Sequence, residues 1–195
     1  HKNTKKKQIE FFINHKKEKR RIFIISTKNH IYKGVVSLSK IDDDEKNCDI
    51  AVLTDTKIEP LLAPYAGLEA IALISNFAFT KLKLKRIDCN FKKSQKNWFQ
   101  RMEILGYKFF FRSRYKVKSY SSIMLDKKVG DERIGSCAYF SSLSYEDFKF
   151  MKKKRGKLWD NLTLMKKRIS KLPKKSFWEI NDNFLDVTKR NYYKK

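Results

Sequence analysis

LLAPYAGLEAIALISNFAFTKL, residues Leu61 to Leu82, is the stretch on which the fold turns. Its first residues are small and read as a loop. From Leu68 to Leu82 the chain is apolar on nearly every side of a helix, so this helix belongs against a sheet. A short apolar segment, Asp49–Leu53, precedes it, and another, Arg86–Phe91, follows. Strand, loop, helix, strand in that order offers free backbone N–H groups and the positive end of a helix dipole to a phosphate.

Outward from that stretch, the N-terminal side reads as a helix over residues 4–20, with Ile9, Phe12 and Ile13 on one face, and then strands at Ile22–Ser26 and Tyr32–Ile41. The polar run 42–47 (DDDEKN) is a hairpin loop, and Cys48–Leu53 a third strand. On the C-terminal side, Ser94–Leu105 reads as a helix stopped by Gly106 at a C-cap position. Tyr107–Lys118 and Ser121–Leu125 read as a final hairpin. Five or six strands interleaved with helices imply an α/β (α+β) domain over residues 1–129.

Beyond Gly130 the pattern changes to a basic C-terminal extension, residues 130–195. Ser144 followed by Asp147 marks a capped helix start. Phe148, Met151, Leu158, Leu162, Met165, Ile169 and Leu172 then recur at helical spacing until Pro173, predicting one long helix over about 145–172.

The chain has 195 residues, 41% of them hydrophobic and 14% aromatic, which excludes a disordered chain. Its net charge is +25, of which 1–130 carry +16 and 131–195 carry +9. That charge favours polyanions: nucleic acid, anionic lipid or phosphorylated small molecules. An AT-rich genome would also supply lysine without selection for binding. Cys48, Cys89 and Cys137 are odd in number and show no metal spacing, so reduced thiols in a cytoplasmic or organellar-matrix compartment, without secretion, are expected. The longest apolar run, Ala70–Phe79, is too short to span a bilayer.

Phe11 to Asp126 resembles most of a GNAT (GCN5-related) N-acetyltransferase domain. Three local matches carry the resemblance. Ile22–Ser26 with Tyr32–Leu38 is similar to its second and third strands. Asp49–Leu53, the loop and the helix ending Asn76-Phe77-Ala78-Phe79 are similar to its acetyl-CoA-binding unit, and Arg101–Tyr107 to its late L-Y-x-x-x-G-F element. The closest look is to the amino-sugar N-acetyltransferases of pseudaminic-acid-type biosynthesis. The resemblance implies a mixed, mostly antiparallel central sheet flanked by helices, with a first strand and helix expected before His1.

It also implies acetyl-CoA as cofactor and a small-molecule amine, such as a nucleotide-linked amino sugar, as acceptor. The pantetheine arm is expected on the main chain of Ala51, Val52 and Leu53. The pyrophosphate is expected on Tyr65, Ala66, Gly67 and Leu68, and a further contact at Gln95. Asp49 aligns where relatives carry a basic carboxylate and becomes the candidate catalytic residue. Of the family's Q/R-x-x-G-x-G/A loop, Leu62–Gly67 keeps only the last glycine, and Met102 stands where many members have a proton-donating Tyr.

A second reading starts from the charge: a GNAT-like scaffold without catalysis that binds RNA in a ribonucleoprotein such as an organellar ribosome. Arg112, Arg114, Lys116 and Lys118 alternate along the strand 112–118, and Lys152–Arg155 and Lys166–Arg168 form clusters within 145–172. Trp159, Trp178, Tyr192 and Tyr193 are candidates for base stacking.

Overall fold

The computed structural model describes residues 4–17, 19–55, 61–92, 95–112, 125–129, 132–135 and 138–172. The elements run α1 (Lys5–Lys17), β1 (Arg21–Ser26), β2 (Tyr32–Asp42), β3 (Asn47–Thr54), α2 (Ala63–Thr80), β4 (Arg86–Lys92), α3 (Lys96–Glu103), β5 (Lys108–Arg112), β6 (Leu125–Val129), β7 (Glu132–Gly135), β8 (Ala138–Ser144), α4 (Tyr145–Arg155) and α5 (Leu162–Ser170). Six strands form one mixed sheet in the order β1-β2-β3-β4-β8-β5, and β6 pairs with β7 apart from it. The chain divides into two compact units, His1–Cys89 with Leu143–Trp159, and Asn90–Ser142 with Asp160–Lys195.

The first unit is built on the antiparallel strands β1, β2 and β3. Val36 on β2 faces Phe23 on β1 and Val52 on β3, so all three share one face of the sheet. That face is α2's, because the Phe23 ring meets the Phe77 ring edge-on at 5.4 Å. Val36, Leu38, Cys48 and Ile50 are buried there against Leu68, Ile71, Ile74 and Ala78 of α2. The fully exposed residues of α2 form a stripe at Glu69, Leu73 and Asn76, one every turn. Phe79 at the end of α2 packs on Phe148 of α4 at 4.8 Å and on Tyr145 at 5.8 Å.

The 42–46 turn is held by Asp42, whose Oδ1 accepts from the amides of Asp44 and Glu45 at 2.9 Å. Lys46 then adopts a positive φ, and its carbonyl accepts from the amides of Lys85 and Arg86, tying the turn to the start of β4.

In the second unit, Met102, Ile104 and Leu105 at the end of α3 are buried, as are Tyr107, Phe109 and Met165. Gly106 ends the α3 turn at φ +94, the left-handed position expected of it. Asn161 caps α5 by accepting from the Leu164 amide at 2.9 Å, and Arg168 pairs with Asp160.

Two expectations are corrected. The long helix 145–172 is two helices. Gly156 closes α4 at φ +77, and Asn161 starts a new helix six residues after α4's last residue, Arg155. α2 begins at Ala63, five residues before Leu68, because Pro64 is tolerated in a first helical turn where no N–H is needed. β5 pairs antiparallel with β8, Lys108 opposite Ser142 and Arg112 opposite Tyr139, while the hairpin expected between Tyr107–Lys118 and Ser121–Leu125 falls largely outside the described residues. The segment beyond Gly130 thus contributes a strand to the main sheet as well as helices. Residues 113–124, which include Arg114, Lys116 and Lys118, and 173–195, with Trp178, Tyr192 and Tyr193, lie outside the described residues, as does Cys137.

Candidate functional site

β3 carries the centre of the site. It pairs with β2 along its length, from Asn47 opposite Asp42 to Thr54 opposite Gly34. On its other edge it pairs with β4 in parallel, through Asn47 opposite Arg86, Cys48 opposite Ile87 and Asp49 opposite Asp88. Among the described residues that ladder stops there, while β3 continues to Thr54. The main-chain groups along the β4-side edge of Ile50–Thr54 are therefore outside the parallel ladder. Ala51 and Leu53 are exposed and Val52 is half-buried against α2.

The first turn of α2 comes next. Leu62 is the N-cap residue, its side chain makes no capping bond, and no acidic side chain lies in the first turn. The amides of Tyr65 and Ala66 donate to the Leu62 carbonyl at 2.9 and 3.0 Å. Helix formation therefore already uses the N–H groups of Tyr65 and Ala66. The amides that the helix does not use belong to Leu62 and Ala63, since Pro64 has none. Tyr65 and Ala66 are half-buried, while Gly67 and Leu68 are buried in the turn's inner face. The donor end of the dipole thus lies a few residues before the position expected from the glycine.

Asp49 lies on the sheet face away from α2, 31% exposed at its side chain, with Lys40 Nζ 2.6 Å from its Oδ2. Directly opposite on the neighbouring strand is Asp88, so the two carboxylates share that face. Arg86 Nε binds Asp88 Oδ2 at 3.0 Å, while Asp88 Oδ1 is buried without a hydrogen-bond partner among the described residues. Burial raises the Asp88 carboxyl above the usual range, and repulsion from Asp49 adds to this; Arg86 opposes both. A carboxyl tuned upward in this way is better matched to taking a proton from an ammonium group near neutrality. Burial also pushes the Cys48 thiol, between these strands' first rungs, up to about 12, which makes it an inert packing residue.

Asp88 is the residue that the sequence reading missed. An acidic residue inside the apolar segment Arg86–Phe91 was the available signal, but its pairing with Asp49 depends on strand register. Gln95 lies in the second unit, exposed at the N-cap of α3 with no side-chain capping bond. Met102 is 1% exposed, a core residue of α3. Among the described residues no group of three or more His, Cys, Asp or Glu could hold a metal, and no helix is long and apolar enough to cross a membrane.

No family model matches the sequence, and no curated protein matches it. Solved structures do match. The spermidine N-acetyltransferase of Vibrio cholerae in complex with CoA and spermine superposes with a TM-score of 0.59 at 12% identity, over 75% of this chain and 78% of that one. The same enzyme with manganese ions gives 0.57 at 12% identity, over 77% and 79%. A chimera of the Vibrio cholerae enzyme with hSSAT gives 0.56 at 13% identity, over 74% and 81%. The fold is GNAT-like. In this GNAT-like chain the mostly antiparallel sheet with its flanking helices is as expected, with β3 and α2 consecutive around the exposed strand end.

Proposed function

We propose that this chain is an acetyl-CoA-dependent N-acetyltransferase that acylates a primary amine of a small molecule. The observation that carries the reading is β3 leaving the parallel ladder at Asp49 while still presenting Ala51–Leu53, immediately before a helix whose N-terminus is uncapped. This donor set suits coenzyme A: strand main chain for an amide-bearing arm, and helix amides with a dipole for a diphosphate. Acetyl-CoA, when bound, supplies the thioester carbonyl that the amine attacks.

The chain's own groups do the rest. The β3 main chain at Ala51–Leu53 orients the arm, and a main-chain N–H aimed at the carbonyl oxygen stabilises the charge that develops there. The first turn of α2, Leu62 to Leu68, holds the phosphates, chiefly through the Leu62 and Ala63 amides. Asp49, with Asp88 beside it, accepts the proton that the ammonium must lose before attack. The thiolate leaves into water, since Met102 is buried and has no proton to give.

The fold likeness to acetyltransferases of amines supports an amine acceptor. A nucleotide-linked amino sugar is the acceptor that the sequence resemblance suggests, and the +25 charge suits its phosphates. Calorimetric titration with acetyl-CoA, followed by thiol release with a panel of UDP-linked amino sugars, polyamines and simple alkylamines, tests this. Saturable acetyl-CoA heat with thiol release on at least one amine is expected. No heat at millimolar acetyl-CoA would overturn the reading and leave the inactive scaffold.

A further inference from the structure

The surface of α4 is the feature that acetyl transfer leaves unexplained. Phe148 and Met151 face inward, with Phe148 packed on Phe79, and Tyr145 N donates to the Lys85 carbonyl at 2.8 Å, so the helix is fixed on its unit. Its opposite face, read at helical spacing, is Glu146, Lys149, Phe150, Lys153 and Lys154, and the exposed Lys157 follows the Gly156 that closes the helix. The five on the helix are exposed, Phe150 at 60%, and Lys154 Nζ lies 5.8 Å from the Phe150 ring centre. From Phe148 to Trp159 the chain has no acidic residue.

Two features set this face apart from an ordinary solvated one. The Lys149/Lys153 pair stands four residues apart on the helix, where like charges oppose helix formation. The helix dipole accounts for cations in the last turn and the Tyr145 ring, 4.8 Å from Lys149 Nζ, for Lys149, but neither accounts for an exposed phenylalanine among them. Lys81, Lys83 and Lys85, all exposed, follow α2 beside the start of this helix and extend the cationic area.

We propose that the outer face of α4 binds single-stranded RNA, its lysines on consecutive phosphates and Phe150 stacked under a base. Eleven residues give a track about 16 Å long, enough for a few nucleotides. A lipid surface fits less well: interfacial helices bury a broad apolar face, and the apolar face of α4 is already in the core. The inference is independent of acetyl transfer, since none of these residues belongs to the β3–α2 site.

The test is fluorescence anisotropy of the whole chain with labelled oligouridylate across a salt series. Each phosphate contact contributes about −0.7 to the slope of log K against log salt. K149Q/K153Q/K154Q should therefore lower the slope by about 2, and Phe150→Ala should weaken binding about tenfold at unchanged slope, with Phe150→Trp restoring it. Thermal melts establish that the variants are folded. A triple variant with the wild-type slope would place binding elsewhere and overturn the proposal. So would loss of discrimination between oligouridylate and duplex RNA, or phosphatidylserine vesicles, rather than oligouridylate, responding to these substitutions.

Discussion

Gly34→Ala is the substitution whose effect the structure fixes most tightly. Gly34 has φ +150, and a Cβ there would lie 2.2 Å from the Leu53 carbonyl oxygen and 2.9 Å from the Thr54 Cα. Both are backbone atoms of the paired strand, so neither can rotate away. Ordinary contact begins near 3.4 Å, and β3 would have to recede by about 1 Å. That movement weakens the Gly34–Thr54 rung and the 2.8 Å bond from Asp55 N to the Lys33 carbonyl. Two such bonds at about 1 kcal/mol each, with about 1–2 kcal/mol for an L residue in this backbone region, bring the cost to about 3–4 kcal/mol. In a chain of this size that lowers Tm by about 10 °C. Gly156→Ala is the control: its φ is +77 but nothing lies within 4 Å of the added carbon, so about 1 kcal/mol and a few degrees are expected. Circular-dichroism melts of both variants decide the matter. Equal and small shifts would refute the argument that the end of β3 is seated directly on Gly34. Because the displaced atoms are those of Leu53 and Thr54, acetyl-CoA affinity should fall in Gly34→Ala and hold in Gly156→Ala.

Three further outcomes follow from the site and the core. Asp49→Asn should lower turnover 10²–10⁴-fold, about what a general base contributes; steady-state turnover that is unchanged in Asp49→Asn would separate this carboxylate from the chemistry. The neutral Cys48 thiol is favoured in the folded state, so the stability it contributes is present below its unfolded value and is lost as pH rises toward about 12; alkaline melts of Cys48→Ala should lose part of that sensitivity, and Ellman's reagent should leave Cys48 unmodified in the native protein at pH 8. Asn161→Ala removes the cap on the Leu164 amide and should cost about 1 kcal/mol by urea titration, with Asn161→Asp close to neutral.

The hairpins β1–β2–β3, the helix α2 and strand β4 were legible because alternation and one long apolar run are local signals. The start of α2 was not, since Leu61–Gly67 reads as loop chemistry until the backbone shows Pro64 inside a first turn. Hydrophobic spacing ran across Gly156 without interruption, so 145–172 looked continuous. A single left-handed residue and the Asn161 cap outweighed that spacing. Asp49 could be picked from the resemblance, whereas Asp88 needed the register of a parallel pair. The partner of β5 was equally hidden, because nothing in Lys108–Arg112 names β8 over a nearer segment.

That last pairing bears on how the polypeptide can be shortened. β8 is the inner strand beside both β4 and β5, yet it lies some fifty positions later in the chain than β4. A protein ended after Gly130, where composition changes, would leave two unpaired strand margins ready to recruit other molecules. Such a fragment should form aggregates during expression, whereas one ended after Leu172 keeps every rung of the large sheet among the described residues.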